Sequence, residues 1–302
     1  MTPLRTTLTP AHLLLAIAVM AVWGSNFVVI KFALAHLPPL LLGALRFTAV
    51  FLPAAFFLKR PQASWANLAA YGVLIGAGQF GALFIALRAD VTPGLASLIM
   101  QMQVFFTIGL SMWLTGERLQ AVQVVALLLA VAGIAVILTH TGGSITLLGL
   151  GLLLIAALSW SGGNMVSRAA GKVDMLAYVV WSSLFAVPPL FALAFVFEGP
   201  TAMLNGVRDA DAVTWAAVAW QAVGNAMFGY GVWGWMLARY PAASVAPLAL
   251  LVPVFGMTAS AIILGEPMQA WKLIAAALVM SGLALGILWP RIAQRFVQGE
   301  PV

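Results

Sequence analysis

Apolar stretches follow one another along this chain at 11–35, 38–58, 66–88, 92–114, 120–139, 147–167, 175–197, 213–237, 241–264 and 269–289. The breaks are short, such as Leu37-Pro38-Pro39 and Lys59-Arg60-Pro61, and only Glu198 to Ala212 is long and acidic enough to predict a real loop. A helix of about 20 residues crosses a bilayer and satisfies its own backbone hydrogen bonds, which hydrocarbon demands. Of the 302 residues, 63% are hydrophobic and 7% charged, against about 25% charged in soluble domains. So much apolar surface cannot all be hidden, so the exterior must face lipid. The predicted fold is all-α and transmembrane, with ten helices. The stretch from His12 reads as a full span rather than a cleavable signal peptide, since no small-residue cleavage site follows it.

Lys and Arg placement predicts orientation. With the N-terminus cytoplasmic, Arg5, Lys59, Arg60, Arg118, Arg168, Lys172, Arg239, Arg291 and Arg295 lie inside. Lys31, Arg88, Arg208 and Lys272 lie outside, and Arg46 falls within the second span. Both termini are therefore predicted on the cytoplasmic side of a bacterial inner membrane. The net charge of +6 is scattered without a basic run, so no nucleic-acid partner is predicted. The chain has no cysteine, which excludes disulfides and thiolate metal sites. No motif points to a metal or cofactor.

The chain repeats itself. A shift of 149 residues sets Thr115-Gly116-Glu117-Arg118-Leu119-Gln120 against Leu264-Gly265-Glu266-Pro267-Met268-Gln269, and Gly133 against Gly282. Earlier in each half, Trp23-Gly24-Ser25-Asn26 resembles Trp160-Ser161-Gly162-Gly163-Asn164, and Pro53 corresponds to Pro188 at a slightly different shift. Two repeats, 1–143 and 144–302, are predicted to form one membrane domain. Five spans per repeat is odd, so the second copy must lie upside down, an arrangement characteristic of secondary transporters working by alternating access.

The same strings carry a family resemblance. Ala21-Val22-Trp23-Gly24-Ser25-Asn26-Phe27, Leu45-Arg46-Phe47, Gly94-Leu95-Ala96-Ser97-Leu98, Gly116-Glu117-Arg118 and Ser159-Trp160-Ser161-Gly162-Gly163-Asn164 resemble the EamA branch of the drug/metabolite transporter superfamily. Gly229-Tyr230-Gly231-Val232-Trp233-Gly234, Val245-Ala246-Pro247-Leu248 and Leu251-Val252-Pro253-Val254 are similar to its O-acetylserine/cysteine exporters. The resemblance covers nearly the whole chain. It implies a 5+5 inverted repeat around a central cavity and efflux of amino acids or related metabolites. Aromatic amino acid exporters share that architecture, so the resemblance does not fix the substrate.

Polar side chains deep in hydrocarbon must meet partners or a wet cavity. Trp23 and Asn26 share a face of span 1, and Trp160 and Asn164 repeat the pair on span 6. They are candidates for the two sides of a substrate cavity, or for interhelical hydrogen bonds. Gln79, Gln101, Gln103 and Asn225 are the other deep amides. Gln101 and Gln103 are two apart and cannot both face inward. Tyr230, Trp233 and Trp181 could stack on a substrate or pack in the ordinary way; Trp181 holds the place in span 7 that Arg46 holds in span 2. Arg46 could bind a carboxylate bidentately, snorkel to headgroups or tie down backbone carbonyls. Pro188, Pro247 and Pro253 are candidate hinges, because an interior proline removes a backbone bond. Gly72/Gly76 and Gly282/Gly286 are spaced for close helix packing.

All eight acidic residues fall at span ends, loops or the tail. Ion coupling usually needs an intramembrane acid, so a facilitator or exchanger is expected unless Glu117 or Glu266 is buried. No hydrolytic motif is present, which argues against an enzyme. An exporter of small zwitterionic, amino acid-like metabolites is the reading that results. A receptor or scaffold without flux and a proton-coupled importer remain the alternatives. Partners are the substrate and the lipid bilayer; oligomeric state, a monomer included, is not fixed by the sequence.

Overall fold

The computed structural model describes residues 8–115 and 120–298; Arg5, Glu117, Arg118 and Glu300 lie outside them. Ten membrane-crossing units follow in order. Span 1 is Pro10–Ala33, span 2 Pro39–Ala55, span 3 Trp65–Ala89, span 4 Pro93–Leu114 and span 5 Ala121–Leu138. Span 6 is Leu147–Ala169, span 7 Met175–Phe197, span 8 residues 212–239, span 9 residues 242–264, and span 10 the helix Ala270–Gln298. Eight helices are long and apolar enough to cross a membrane by length and composition. Span 2, at 17 residues, is at the short limit, and span 8 carries five glycines and tryptophans in Gly229–Trp235 alone. The outer surface is apolar: Phe56, Leu128, Val131, Ile155 and Ile262 are all exposed, as a lipid-facing wall requires.

Helix packing shows how the halves are related. Spans 5 and 10 lie against each other. A Cβ on Gly133 would strike Val279 and the Ala275 carbonyl, while one on Gly282 would strike the Ala126 carbonyl and Ala130. Those contacts exchange under the repeat shift of 149 residues, as a two-fold axis requires. As residue numbers rise along span 5 they fall along span 10, so these repeat-equivalent helices are antiparallel and the halves are inverted. Spans 2 and 7 pair in the same sense, with Gly43 on Leu190 and Phe51 on Trp181. Span 1 packs on span 9 and span 6 on span 4, the same interface made twice. Gly72 and Gly76 let span 3 sit directly on Ser182 and Ala186 of span 7.

Two irregularities also occur twice. Spans 3 and 8 each contain an eight-residue π-helical segment, Leu74–Gly81 and Gln221–Phe228. Such widened turns are rare and recur at functional sites. Span 4 breaks between Ile99 and Met102, and span 9 passes through a 3₁₀ turn, Ala246–Leu250, into Leu251–Leu264. The two breaks touch: Gln101 Nε2 donates to the Ala249 carbonyl at 3.3 Å.

Several expectations are corrected. The 198–212 connection is not simply a loop, because Pro200–Asp209 forms a helix after Gly199 turns the chain at φ 81°. Gly206 of that helix sits against Pro38. Glu198 is not a free loop charge either: its carboxylate accepts from the Leu40 and Leu41 amides at 2.6 and 3.0 Å, capping the positive end of span 2. Pro247 and Pro253 do not kink an otherwise continuous helix. Pro247 opens the 3₁₀ turn and Pro253 lies in the first turn of Leu251–Leu264, where its missing N–H has no intrahelical partner to lose. Pro188 lies inside the uninterrupted helix Met175–Phe197.

Lys272 and Glu266, expected as span-end charges, are both buried and paired at 2.9 Å. Glu266 also accepts from Thr92 Oγ1 (2.5 Å), the Gly94 amide (3.0 Å) and the Ser260 hydroxyl. This binds the start of span 4 to the turn between spans 9 and 10. Lys272 therefore cannot act as an exposed topology marker.

Candidate functional site

Where spans 2, 3, 7 and 8 meet, a small, largely apolar cavity surrounds the buried side chain of Arg46. Span 2 contributes Arg46 and Val50, span 3 Tyr71, Ile75 and Phe80, span 7 Ser182 and Ser183, and span 8 Ala226 and Tyr230. Its volume is about 10 Å³, room for about one water. In this arrangement of the helices the centre has no room for anything larger.

Arg46 dominates this centre. It stands eighth of the 17 residues in its helix, about 10 Å from one end and about 14 Å from the other, and is 1% exposed. Snorkelling is therefore ruled out. Its Nη2 donates to Asn225 Oδ1 at 3.1 Å, and its guanidinium lies over the Phe80 ring, 3.6 Å from the centroid. Nε and Nη1 are buried without a partner. Asn225 is held in turn: its carbonyl, on the π-helical segment, accepts the Trp23 indole N–H at 3.1 Å. The Trp23 ring packs on Tyr230 and Trp233, with centroids 5.4 and 5.5 Å apart. Gly229 makes this possible, since a Cβ there would come within 2.2 Å of Trp23 Nε1.

Of the residues singled out in the sequence, Asn225 bonds Arg46 and Tyr230 lines the same centre, while Trp23 stands behind them on the Asn225 carbonyl and Trp233 packs on the Trp23 ring. Asn26 and Gln79 are buried, and each has one carbonyl oxygen without a partner (Oδ1 and Oε1). Gln103 and Asn164 form a separate polar group between spans 4 and 6. There Asn164 Nδ2 donates to Gln103 Oε1 at 3.0 Å and Thr107 Oγ1 at 3.3 Å, and Thr107 meets Ser161 at 2.9 Å. Gln101 turns the other way, to span 9. Trp160 is half-buried against the main core. Trp181 is not on the wall of the Arg46 centre; its indole donates to the Leu58 carbonyl at 3.0 Å and its ring meets Phe51 and Trp65.

Sequence reasoning overlooked Tyr71, Ser182, Ser183 and Gln221. Gln221 is fully buried with neither amide atom partnered. The adjacent serines inside an apolar span, and Gln221 as a deep amide of the same kind as Gln79, were the available signals; a single Tyr gave none.

A cavity around a buried cation between inverted halves of a membrane domain is the architecture of a secondary transporter, and this protein is a multi-pass membrane transporter. The chain belongs to the EamA-like transporter family, whose model matches it twice, over residues 11–139 and 147–288. It is 39% identical over 284 residues, 92% of this chain and 95% of the relative, to a Salmonella typhimurium protein named "Probable amino-acid metabolite efflux pump". An Escherichia coli K12 protein of the same name is 38% identical, covering 90% of this chain and 93% of the relative. One solved crystal structure superposes with a TM-score of 0.61 over 94% of this chain and 98% of its own, at 21% identity, which shows the shared fold.

Proposed function

We propose that this protein exports amino acids and closely related metabolites across the bacterial inner membrane, by alternating access between its two halves, 1–143 and 144–302, with both termini cytoplasmic. The observation that carries the proposal is the enclosed centre around Arg46, lined from both halves and too small for any metabolite in its closed form. A site that must open to load and is built across an inverted repeat suits exchange of access between two faces. The names of the two enteric relatives support amino-acid metabolites as the cargo. No carboxylate lines the centre among the described residues, which favours facilitated efflux over ion coupling.

The test is flux in proteoliposomes for cysteine, O-acetylserine, threonine and aromatic amino acids, with and without a pH gradient. Flux of at least one without a gradient is expected. Flux that requires the gradient would favour a second reading, proton coupling through Glu266, which its burial beside Lys272 makes worth testing. No flux from well-folded protein would sink the transport of these compounds.

A further inference from the structure

We infer that Arg46 is the receptor for a substrate carboxylate, so the cargo is limited to molecules carrying one; this rests on the central site being the transport site. A guanidinium has five N–H donors and cannot lose its charge. Removing such a cation from water costs several kcal/mol unless an anion and hydrogen bonds compensate. Here Arg46 has one amide oxygen and one aromatic face, with no carboxylate among the described groups around it. Nε and Nη1 are left over; they lie on different edges of the guanidinium, and one of them with the second N–H of Nη2 makes the fork that binds a carboxylate with two parallel hydrogen bonds.

The surroundings are arranged to keep that fork free. Phe80 lies under the guanidinium plane, and Asn225, pinned by Trp23, takes a single N–H of Nη2. An asparagine at that position orients the cation without neutralising it, whereas an aspartate would satisfy it permanently. Asn26 Oδ1 on span 1 and Gln79 Oε1 on span 3 are further buried acceptors without a partner.

The test uses the purified full chain and reads thermal shift and tryptophan fluorescence with threonine, phenylalanine, acetate, threoninamide, ethanolamine and sodium chloride at matched ionic strength. The carboxylates are expected to shift both signals, and the amide, amine and chloride to leave them unchanged. Arg46→Lys should weaken carboxylate binding about tenfold and Arg46→Met about thirtyfold or more. Asn225→Asp supplies the missing anion internally, so it should raise thermal stability while abolishing the response to carboxylates. A purely structural Arg46 would change stability in these variants without altering the preference for acid over amide. Equal responses to threonine and threoninamide, to acetate and chloride, no response to any carboxylate, or full binding by folded Asn225→Asp would each overturn the assignment. Flux separates the two proposals. Carboxylate binding without flux would sink transport of these compounds and keep the site. Undiminished threonine flux through folded Arg46→Met would keep transport and sink the site.

Discussion

Lys272 and Glu266 face each other at 2.9 Å inside the protein, the lysine wholly buried, where the sequence alone suggested two solvated helix ends. The carboxylate gathers Lys272, Thr92, Ser260 and the Gly94 amide, so three elements from both halves meet on one side chain. Removing one member of a buried ion pair strands the other and costs about 3–5 kcal/mol. Lys272→Met should therefore be strongly destabilising. Glu266→Gln combined with Lys272→Met keeps an amide oxygen for the remaining donors and should recover more than half of the loss. Unfolding of the two variants in a graded detergent series checks this; a double variant weaker than the single would contradict it.

The same cluster fixes a pH response. Burial pushes Glu266 up, but hydrogen bonds from Lys272, Ser260 and Thr92 outweigh it and hold the carboxyl below its ordinary value of 4.5. A depressed folded value means that the stabilisation is complete above the unfolded value and is lost as pH falls through the folded one. Thermal stability should be insensitive to Glu266 between pH 7 and about pH 5, then fall in acid. In Glu266→Gln the acid-side fall should be reduced, and an unchanged profile would remove Glu266 as its source.

Asn26 and Asn164 look equivalent in the sequence but differ in place. Asn164 makes two hydrogen bonds across spans 4 and 6, whereas Asn26 Oδ1 makes none. Asn164→Ala should cost about 1 kcal/mol of stability, the usual worth of interhelical polar contacts. Asn26→Ala should leave stability nearly unchanged and reduce flux. Unaltered flux in folded Asn26→Ala would remove it from the transport site.

Gly229 is required by the indole beside it. Alanine there brings a methyl group within 2.2 Å of Trp23 Nε1, which must push the ring off the Asn225 carbonyl. The expected cost is about 1–3 kcal/mol, with lost transport and a red-shifted tryptophan emission. An unshifted spectrum would show that the ring stays in place.

Much of the fold was legible because a bilayer imposes a simple rule. Each apolar run must span and bond itself, so the ten spans fall within a few residues of their predicted ends, apart from span 10, whose helix runs on to Gln298. The repeat could be read from Gly133 and Gly282 because close packing tolerates no side chain there. The 198–212 helix was missed because its polar residues report an aqueous surface and say little about local conformation. The π-helical segments and the broken spans 4 and 9 were also invisible, since their composition matches the continuous helices around them.

The site divides along the same line. The sequence by itself determined that Trp23, Asn225, Tyr230 and Trp233 lie within hydrocarbon, where polar and aromatic groups need a purpose. Only the tertiary structure decided that Asn225 bonds Arg46 with Tyr230 beside it and the two tryptophans behind, that Trp181 packs elsewhere, and that Glu266 and Lys272 are an internal pair. Depth along a helix follows from counting residues. Which face meets which neighbour depends on how two inverted halves close around each other, and that is fixed by packing across more than a hundred residues of chain.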